Sequence, residues 1–410
     1  MHILVISNLY PPNFLGGYEL AASQIVQTLR QKGHRIKVLT SFRERRFPKI
    51  EAGVFRLLKA RFYIDPPFKN KFSAFFWFLW NCLVLQIMIK WIKPDLILVF
   101  NTSGLGGLFL DCLHSQKLPV VHDIGDSWLV DFPYADTLSF WFRLCQKKFS
   151  SFIKNFIKSV IVFMGSFFLP KKPASLNFKY SYFRSQFLKQ QFAQAGFPVE
   201  NSPVIYYSIW VSRFKPPKDY LRREGLIFIG RLCPEKGAHI FLEALSFLKN
   251  SVYLKQLPLT IVGPGVEKDY ARKIKDLANC LLPEIKVEFT GRVPPLKIPE
   301  LLYKHSIFVF PVIWDEPFGI VVLEAMAAGL AVISTATGGS KEILRDKDNC
   351  LIIEKNNPSA LAEAIVSLLK DKELKEKIIQ QGYKTVEKFD FLPTFNLIEN
   401  HLYRVLENEV

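Results

Sequence analysis

Short apolar runs of strand length alternate with helical stretches along this chain, and the alternation starts twice. HILVIS (2–7) opens the first series and GLIFIG (225–230) the second. Strands that each return through a helix pair in parallel and need cover on both faces, so the pattern specifies an α/β architecture. In the first series a loop over 8–17, a helix over 18–31 and a turn at Lys32-Gly33-His34 lead to the strand RIKVLT (35–40). Pro94 breaks the chain before DLILVF, and LPVVHDIGD supplies a strand expected to end at His122. The second series continues with a helix from about Ala238 to Leu248, strands LTIVG and KVEFTG, then IFVFP, a further helix and LAVIST. A chain of 410 residues outgrows one ordinary core. Two doubly wound, Rossmann-like domains are expected, 1–215 and 216–385, facing across a cleft and joined through SRFKPPKDY (212–220).

Charge separates these halves. Residues 1–215 hold 28 Lys+Arg against 11 Asp+Glu, whereas 216–410 hold 26 of each, so the net charge of +17 lies wholly in the first half. That half is also rich in aromatics, as in FSAFFWFLW and FSSFIKNFIKSVIVFMGSFF. Basic, aromatic surfaces suit nucleic acid or an anionic membrane. No helix-turn-helix cue, zinc-finger spacing or RNA-binding signature is present, and the aromatics form apolar runs instead of alternating with basic residues, which argues against nucleic acid. Residues 72–89 form an uncharged run between Lys71 and Lys90, interrupted by Asn81 and Gln86; it fits a core or groove helix, an interfacial helix, or a span at the lower length limit. Phe149, Phe152, Ile153, Phe156 and Ile157 follow helical spacing, so 149–170 suits either a membrane-surface helix or one packed on the sheet. Six scattered cysteines without ligand-like spacing, and an N-terminus that runs straight into a strand, predict a reduced, cytoplasmic protein without an export signal.

Two stretches carry the chemistry. In IGRLCPEKGA (229–238), Arg231 closes a strand and Lys236 precedes a helix, which brings two cations to the helix's positive end. A forked guanidinium and a point-charge ammonium can neutralise a diphosphate without a metal; two solvated basic residues in a βα loop are the plainer alternative. In WDEPFGIVVLEAMAAG (314–329), Pro317 suits a first helical turn and Gly329 the position past its end, yet Glu324 stands among Ile320, Val321, Val322, Leu323, Ala325 and Met326. A buried carboxylate without a partner costs several kcal/mol, roughly 2 or more, so a partner is required: a core basic residue or a ligand. Glu316 stands at the helix mouth about 12 Å away, suited to accept hydrogen bonds from hydroxyls. The Asp346-Lys347-Asp348 triplet falls in a turn, so no metal site is expected.

These pieces, with FTGRV (289–293), GGSKEIL (338–344), Gly16-Gly17 and VVHD (120–123), resemble the retaining glycosyltransferases of family 4, which have the GT-B fold. The resemblance covers nearly the whole chain. It implies that Arg231 and Lys236 hold the donor diphosphate, that Glu324 holds the ribose hydroxyls and that Glu316 holds those of the transferred sugar. It also implies that the amides of Phe318, Gly319 and Ile320 back the sugar and phosphate, with Arg292 and Val293 beside the base and Gly263 and Gly265 in the nucleotide floor. In the first domain, Gly16 and Gly17 would cover the phosphates and His122 would contact the sugar, with Asp123 and Asp126 close enough to compete for that role. A helix at 386–410, around 392–406, is expected to pack back on the first domain. Where the family often has an asparagine-glycine turn, this chain has IYYSIWVSRF (205–214), which departs from the pattern. The expectation is a metal-independent, retaining transfer from a UDP- or GDP-sugar to a glycan or lipid-linked acceptor, at the inner face of the cell membrane, without a cofactor. A sugar-nucleotide epimerase of the same fold and a non-catalytic nucleotide-sugar-binding protein are the rivals.

Overall fold

The computed structural model describes residues 1–42, 49–60, 71–130, 178–216, 219–251, 254 and 257–408. The expected amphipathic segment at 149–170 lies outside them. The chain divides into two units, Met1–Ile205 with Phe395–Val410, and Tyr206–Thr394.

The first unit is built on β1 (His2–Ser7), α1 (Gly17–Gln31), β2 (Arg35–Ser41), β3 (Lys49–Glu51), β4 (Val54–Leu58), α2 (Lys71–Ile92), β5 (Leu96–Val99), α3 (Gly107–His114), β6 (Val120–Ile124), β7 (Tyr182–Phe183) and α4 (Gln186–Gln194). Its sheet runs β3-β4-β2-β1-β5-β6-β7 and is parallel except for the β3–β4 pair. Ile3, Leu4, Val5 and Ile6 are all fully buried, because helices cover both faces of the central strand. In α1, Ala22, Ile25, Val26 and Leu29 recur at helical spacing and turn inward.

The second unit contains β8 (Leu226–Ile229), α5 (Ala238–Phe247), β9 (Leu259–Val262), α6 (Lys268–Leu281), β10 (Val287–Gly291), α7 (Ile298–Leu302), β11 (Ile307–Phe310), α8 (Ile320–Ala327), β12 (Ala331–Ser334), β13 (Leu351–Ile352), α9 (Pro358–Lys370) and α10 (Lys372–Glu387). Its sheet, β10-β9-β8-β11-β12-β13, is parallel throughout. The chain winds outward from β8 to β9 and β10, then crosses to β11 on the other side of β8. The reversal creates a switch point between β8 and β11, and β1 and β5 flank the equivalent point in the first sheet.

The boundary at 205/206 falls earlier than the expected 215/216. Ile209 bridges to Asp390, and Trp210 stacks on Phe391 at 4.5 Å, so 206–211 already belongs to the second unit's packing. The last helix, α11 (Phe391–Glu407), joins the first unit from Phe395 onward. There Phe395, Ile398, Leu402 and Val405 are buried, Glu399 takes Lys32 at 2.6 Å and His34 at 2.8 Å, and His401 meets the Tyr180 carbonyl at 2.8 Å.

Candidate active site

Each sequence candidate in the second unit sits past the carboxyl end of a parallel strand or in the helix that follows it. Arg231 follows β8, Gly263 and Gly265 follow β9, Arg292 and Val293 follow β10, and Glu316 follows β11. The loops are laced together by their backbones: Gly230 N–H donates to the Val262 carbonyl, Gly263 N–H to that of Gly291, and Leu232 N–H to that of Pro264, all at 2.9 Å. Gly263 tolerates no side chain, since at φ 146° a Cβ would lie 1.7 Å from the Gly230 carbonyl oxygen.

Across the switch point the β8 and β11 loops are joined by one ion pair. Lys236 Nζ donates to Glu316 Oε2 at 2.5 Å, and the Trp314 indole N–H donates to the same oxygen at 2.8 Å. Lys236 also lies over the Trp314 ring, 5.0 Å from its centroid. Both charged residues are buried, which strengthens their attraction and fixes both ends before any ligand arrives. Gly339 N–H donates to the Glu316 carbonyl at 2.7 Å, tying the β12 loop to the same point. Arg231 is half-buried at the end of β8, whereas Arg292 is exposed at the sheet edge.

The helix of the WDEPFGIVVLEAMAAG stretch begins later than Pro317 suggests. α8 starts at Ile320, with Gly319 as its cap at φ 92°. Residues 316–319 are held out of the helix by Glu316 N–H donating to Thr337 Oγ1 at 3.4 Å and by the bond from Gly339. The Phe318 ring is buried against Tyr206, Tyr207 and Phe389, so only its backbone can serve a ligand. Gly329, at φ 73°, terminates α8 as expected. Glu324 has no hydrogen-bond or ion-pair partner among the described residues, and burial pushes its carboxyl up to about 7. The core lysine or arginine that would have given it a purely structural role is not there among those residues.

In the first unit the expected strand end at His122 is corrected. β6 continues to Ile124, because VVHDI is a single buried run paired with β5 and β7. His122 is therefore a residue of the strand's body. It is buried, its Nε2 lies 2.8 Å from His114 Nε2, and its ring packs on Phe178. Burial, then His114, hold it well below the usual histidine range, so it is neutral. Asp123 is also occupied: Arg184 donates to both its oxygens, from Nε at 2.9 and 3.1 Å and from Nη2 at 2.5 Å, and the Tyr182 hydroxyl donates at 2.9 Å.

Asp126 has the position expected of His122, just past the end of β6. Asn8 follows β1 and Asn101 follows β5; Asn8 Nδ2 donates to Asn101 Oδ1 at 2.6 Å, and Asn101 Nδ2 in turn donates to Asp126 Oδ2. The amide-to-acid chain thus spans the first unit's switch point. Burial, with Glu19 and Asp123 nearby, pushes Asp126 up to about 7 against the opposing Trp128 N–H and Asn101 amide. Gly16 caps α1 and its N–H donates to Glu19 Oε2 at 3.0 Å, so the Gly16-Gly17 turn adjoins this acid cluster. Asn8, Asn101, Trp314 and Thr337 were not among the sequence candidates. For the two asparagines the signal was available: each is a polar residue at the first or second position past a buried strand.

Residues 212–385 match the family model for glycosyl transferases group 1. The chain is 25% identical over 86% of its length to an uncharacterized 42.6 kDa protein of the cps region of Klebsiella pneumoniae, covering 90% of that protein. It is 30% identical over 50% of its length to the putative glycosyltransferase YtcC of Bacillus subtilis, spanning about half (54%) of that relative. Among solved structures, HepE of Anabaena in complex with UDP and glucose superimposes with a TM-score of 0.69 at 20% identity, over 98% of this chain and 99% of that one. Sucrose-phosphate synthase of Thermosynechococcus elongatus gives 0.74 at 18% identity, over 100% and 99%. The structural likeness carries the fold, so the chain has the GT-B fold, and the stretch that matches the family model for glycosyl transferases group 1 holds every candidate group of the second unit.

Proposed function

We infer that the protein transfers a sugar, with retention at the anomeric carbon and without a metal, from a nucleotide diphosphate sugar to a glycan or lipid-linked acceptor. The observation that carries this is the Lys236–Glu316 pair at the second switch point, followed on the adjoining helix by Glu324, whose carboxyl lacks a protein partner among the described residues. Arg231 and Lys236 receive the diphosphate, and their charge stabilises what builds on the departing oxygen as the glycosidic bond breaks. The acceptor oxygen bonds to the anomeric carbon and its proton passes to the leaving diphosphate. Glu316 takes hydroxyls of the transferred sugar, and Glu324 the ribose hydroxyls, which relieve its desolvation. Phe318, Gly319 and Ile320 serve through their amides, Arg292 and Val293 flank the base, and Gly263 and Gly265 line the floor. From the first unit, Asp126 takes the place first assigned to His122, with Gly16 and Gly17 beside it, because its carboxyl lies past the strand end and is still exchanging its proton near neutral pH. A uridine donor is favoured over guanosine by the UDP complex of HepE.

The test is a donor screen with uridine, guanosine and adenosine diphosphate sugars, by calorimetry and then by transfer to a membrane extract. Saturable binding of one donor, and labelled sugar in the extract with release of the nucleoside diphosphate, are expected. Conversion of the donor to its epimer without acceptor, or binding with no product in any extract, overturns the reading in favour of an epimerase or a binding protein.

A further inference from the structure

The helix α2 is built inside out for one that faces water. Its inward edge carries Phe78, Val84, Leu85, Met88 and Ile92, together with Asn81, whose amide is paired with the backbone of Lys59 at 2.8 and 2.9 Å. The outward edge, where charged residues ordinarily stand, presents Phe76, Leu79, Trp80, Leu83, Ile87 and Trp91. Leu83 is 52%, Ile87 55% and Trp91 61% exposed. From 76 to 91 the stripe is about 22 Å long. Gln86 and Lys90 are the polar residues on that face, and the helix contains no acid. A continuous apolar stripe of this size on a protein surface marks an interaction site.

The charge around the stripe identifies the occupant. Lys90 and Lys93 stand at its end. Lys59 lies over the Phe42 and Trp77 rings at 5.1 and 5.6 Å, and Lys37 over Phe55, which itself meets Trp91 edge-on at 5.4 Å. All the net positive charge of the chain lies in this half. A second copy docked through the same face would oppose lysine to lysine, whereas a phospholipid surface offers hydrocarbon to the stripe and phosphate to its rim. Among the described residues no helix is long and apolar enough to cross a membrane, and the packed inward edge of α2 leaves its outward stripe as the face that can meet lipid.

We propose that the exposed stripe of α2, with its lysine rim, docks the protein onto an anionic phospholipid surface. Tryptophans take the interfacial depth, leucine and isoleucine enter the acyl boundary, and the lysines meet headgroup phosphates. The proposal goes beyond the transfer reading and stands without it, and it gives a lipid-linked acceptor a place to be met.

The full chain is sedimented with vesicles of phosphatidylcholine, with and without phosphatidylglycerol. Binding to the anionic vesicles alone is expected, and Leu83→Glu with Ile87→Glu should lower partitioning at least roughly tenfold. Donor binding, which depends on the other unit, should stay at the wild-type level. Protein that stays in the supernatant, equal binding to neutral vesicles, or a double variant that binds like wild type overturns the proposal. So does a wild-type dimer that the double variant dissolves without any vesicle binding. Quenching of wild-type tryptophan fluorescence by brominated acyl chains, reduced in Trp91→Phe, tests the same contact without the charged substitutions; no quenching overturns it.

Discussion

The two switch points have the same topology and opposite chemistry. In the second unit the β8 and β11 loops meet through a buried ion pair, Lys236 to Glu316. In the first, the β1 and β5 loops meet through neutral amides, Asn8 to Asn101, and the chain ends on an acid held near neutrality, Asp126. Parallel strands of this kind place loops and nothing more; the residues in the loops decide what can be bound. With Lys236 and Arg231 against the single carboxylate of Glu316, the β8 and β11 loops keep one positive charge in excess, which suits a diphosphate. An amide-and-acid chain suits hydroxyls, which both donate and accept, and a carboxyl titrating near 7 can take or return a proton at little cost.

The most severe way to break this contrast is to remove the acid of the second switch point. Glu316→Gln keeps an oxygen for Lys236 and Trp314 but removes the charge. Turnover at saturating donor should fall about 10³-fold, with donor affinity changed far less. Rates and calorimetry on the same preparation separate the two, and near-wild-type turnover removes Glu316 from its assigned role.

The next effect belongs to the first unit. Asp126→Asn should lower transfer about 10²-fold while leaving donor affinity intact, and it should remove the limb of the rate profile near pH 7. The wild-type sign follows from the raised pKa: the carboxylate form, the stronger hydrogen-bond acceptor for a substrate hydroxyl, gains population as pH rises through about 7. His122→Gln is the contrast. It should reduce thermal stability, because His122 packs between His114 and Phe178, yet leave the pH profile in place. A His122→Gln protein that is folded and stable but loses the limb returns the role to the histidine.

Much of the second unit was legible because its strands are continuous apolar runs and its candidate loops follow them directly. What could not be read were bonds between distant positions. The Lys236–Glu316 pair joins residues 80 apart and the Asn8–Asn101 pair residues 93 apart, and no local pattern records either. Tertiary hydrogen bonds also moved the start of α8 from Pro317 to Ile320, overriding a local preference for proline in the first turn. His122 was misplaced because a polar residue inside VVHDI resembles a strand end, although the strand pairs two residues further. For α2, an apolar run without periodicity left inward and outward faces indistinguishable, and the structure then turned its asparagine inward and Trp80 and Trp91 out.

The smallest effect on transfer, and the sharpest in sign, concerns Glu324. Its pKa is about 7 in the folded chain against 4.5 for an ordinary glutamate, so between those values the native state holds a proton that the unfolded chain has released. Stability from this group is therefore greatest below pH 4.5 and is lost as pH rises through 7. Glu324→Gln, which mimics the neutral form, should stabilise the protein at pH 8 by about 1–2 kcal/mol once solvent screening of the partly exposed carboxyl is counted, and should do nothing at pH 4. The same substitution should weaken donor binding about tenfold, since an amide is a poorer acceptor for ribose hydroxyls than a carboxylate. Melting curves at the two pH values and a donor titration check both signs. A structural glutamate predicts the reverse combination, lower stability with donor affinity unchanged, whereas a ligand-directed one costs stability until its hydroxyls arrive.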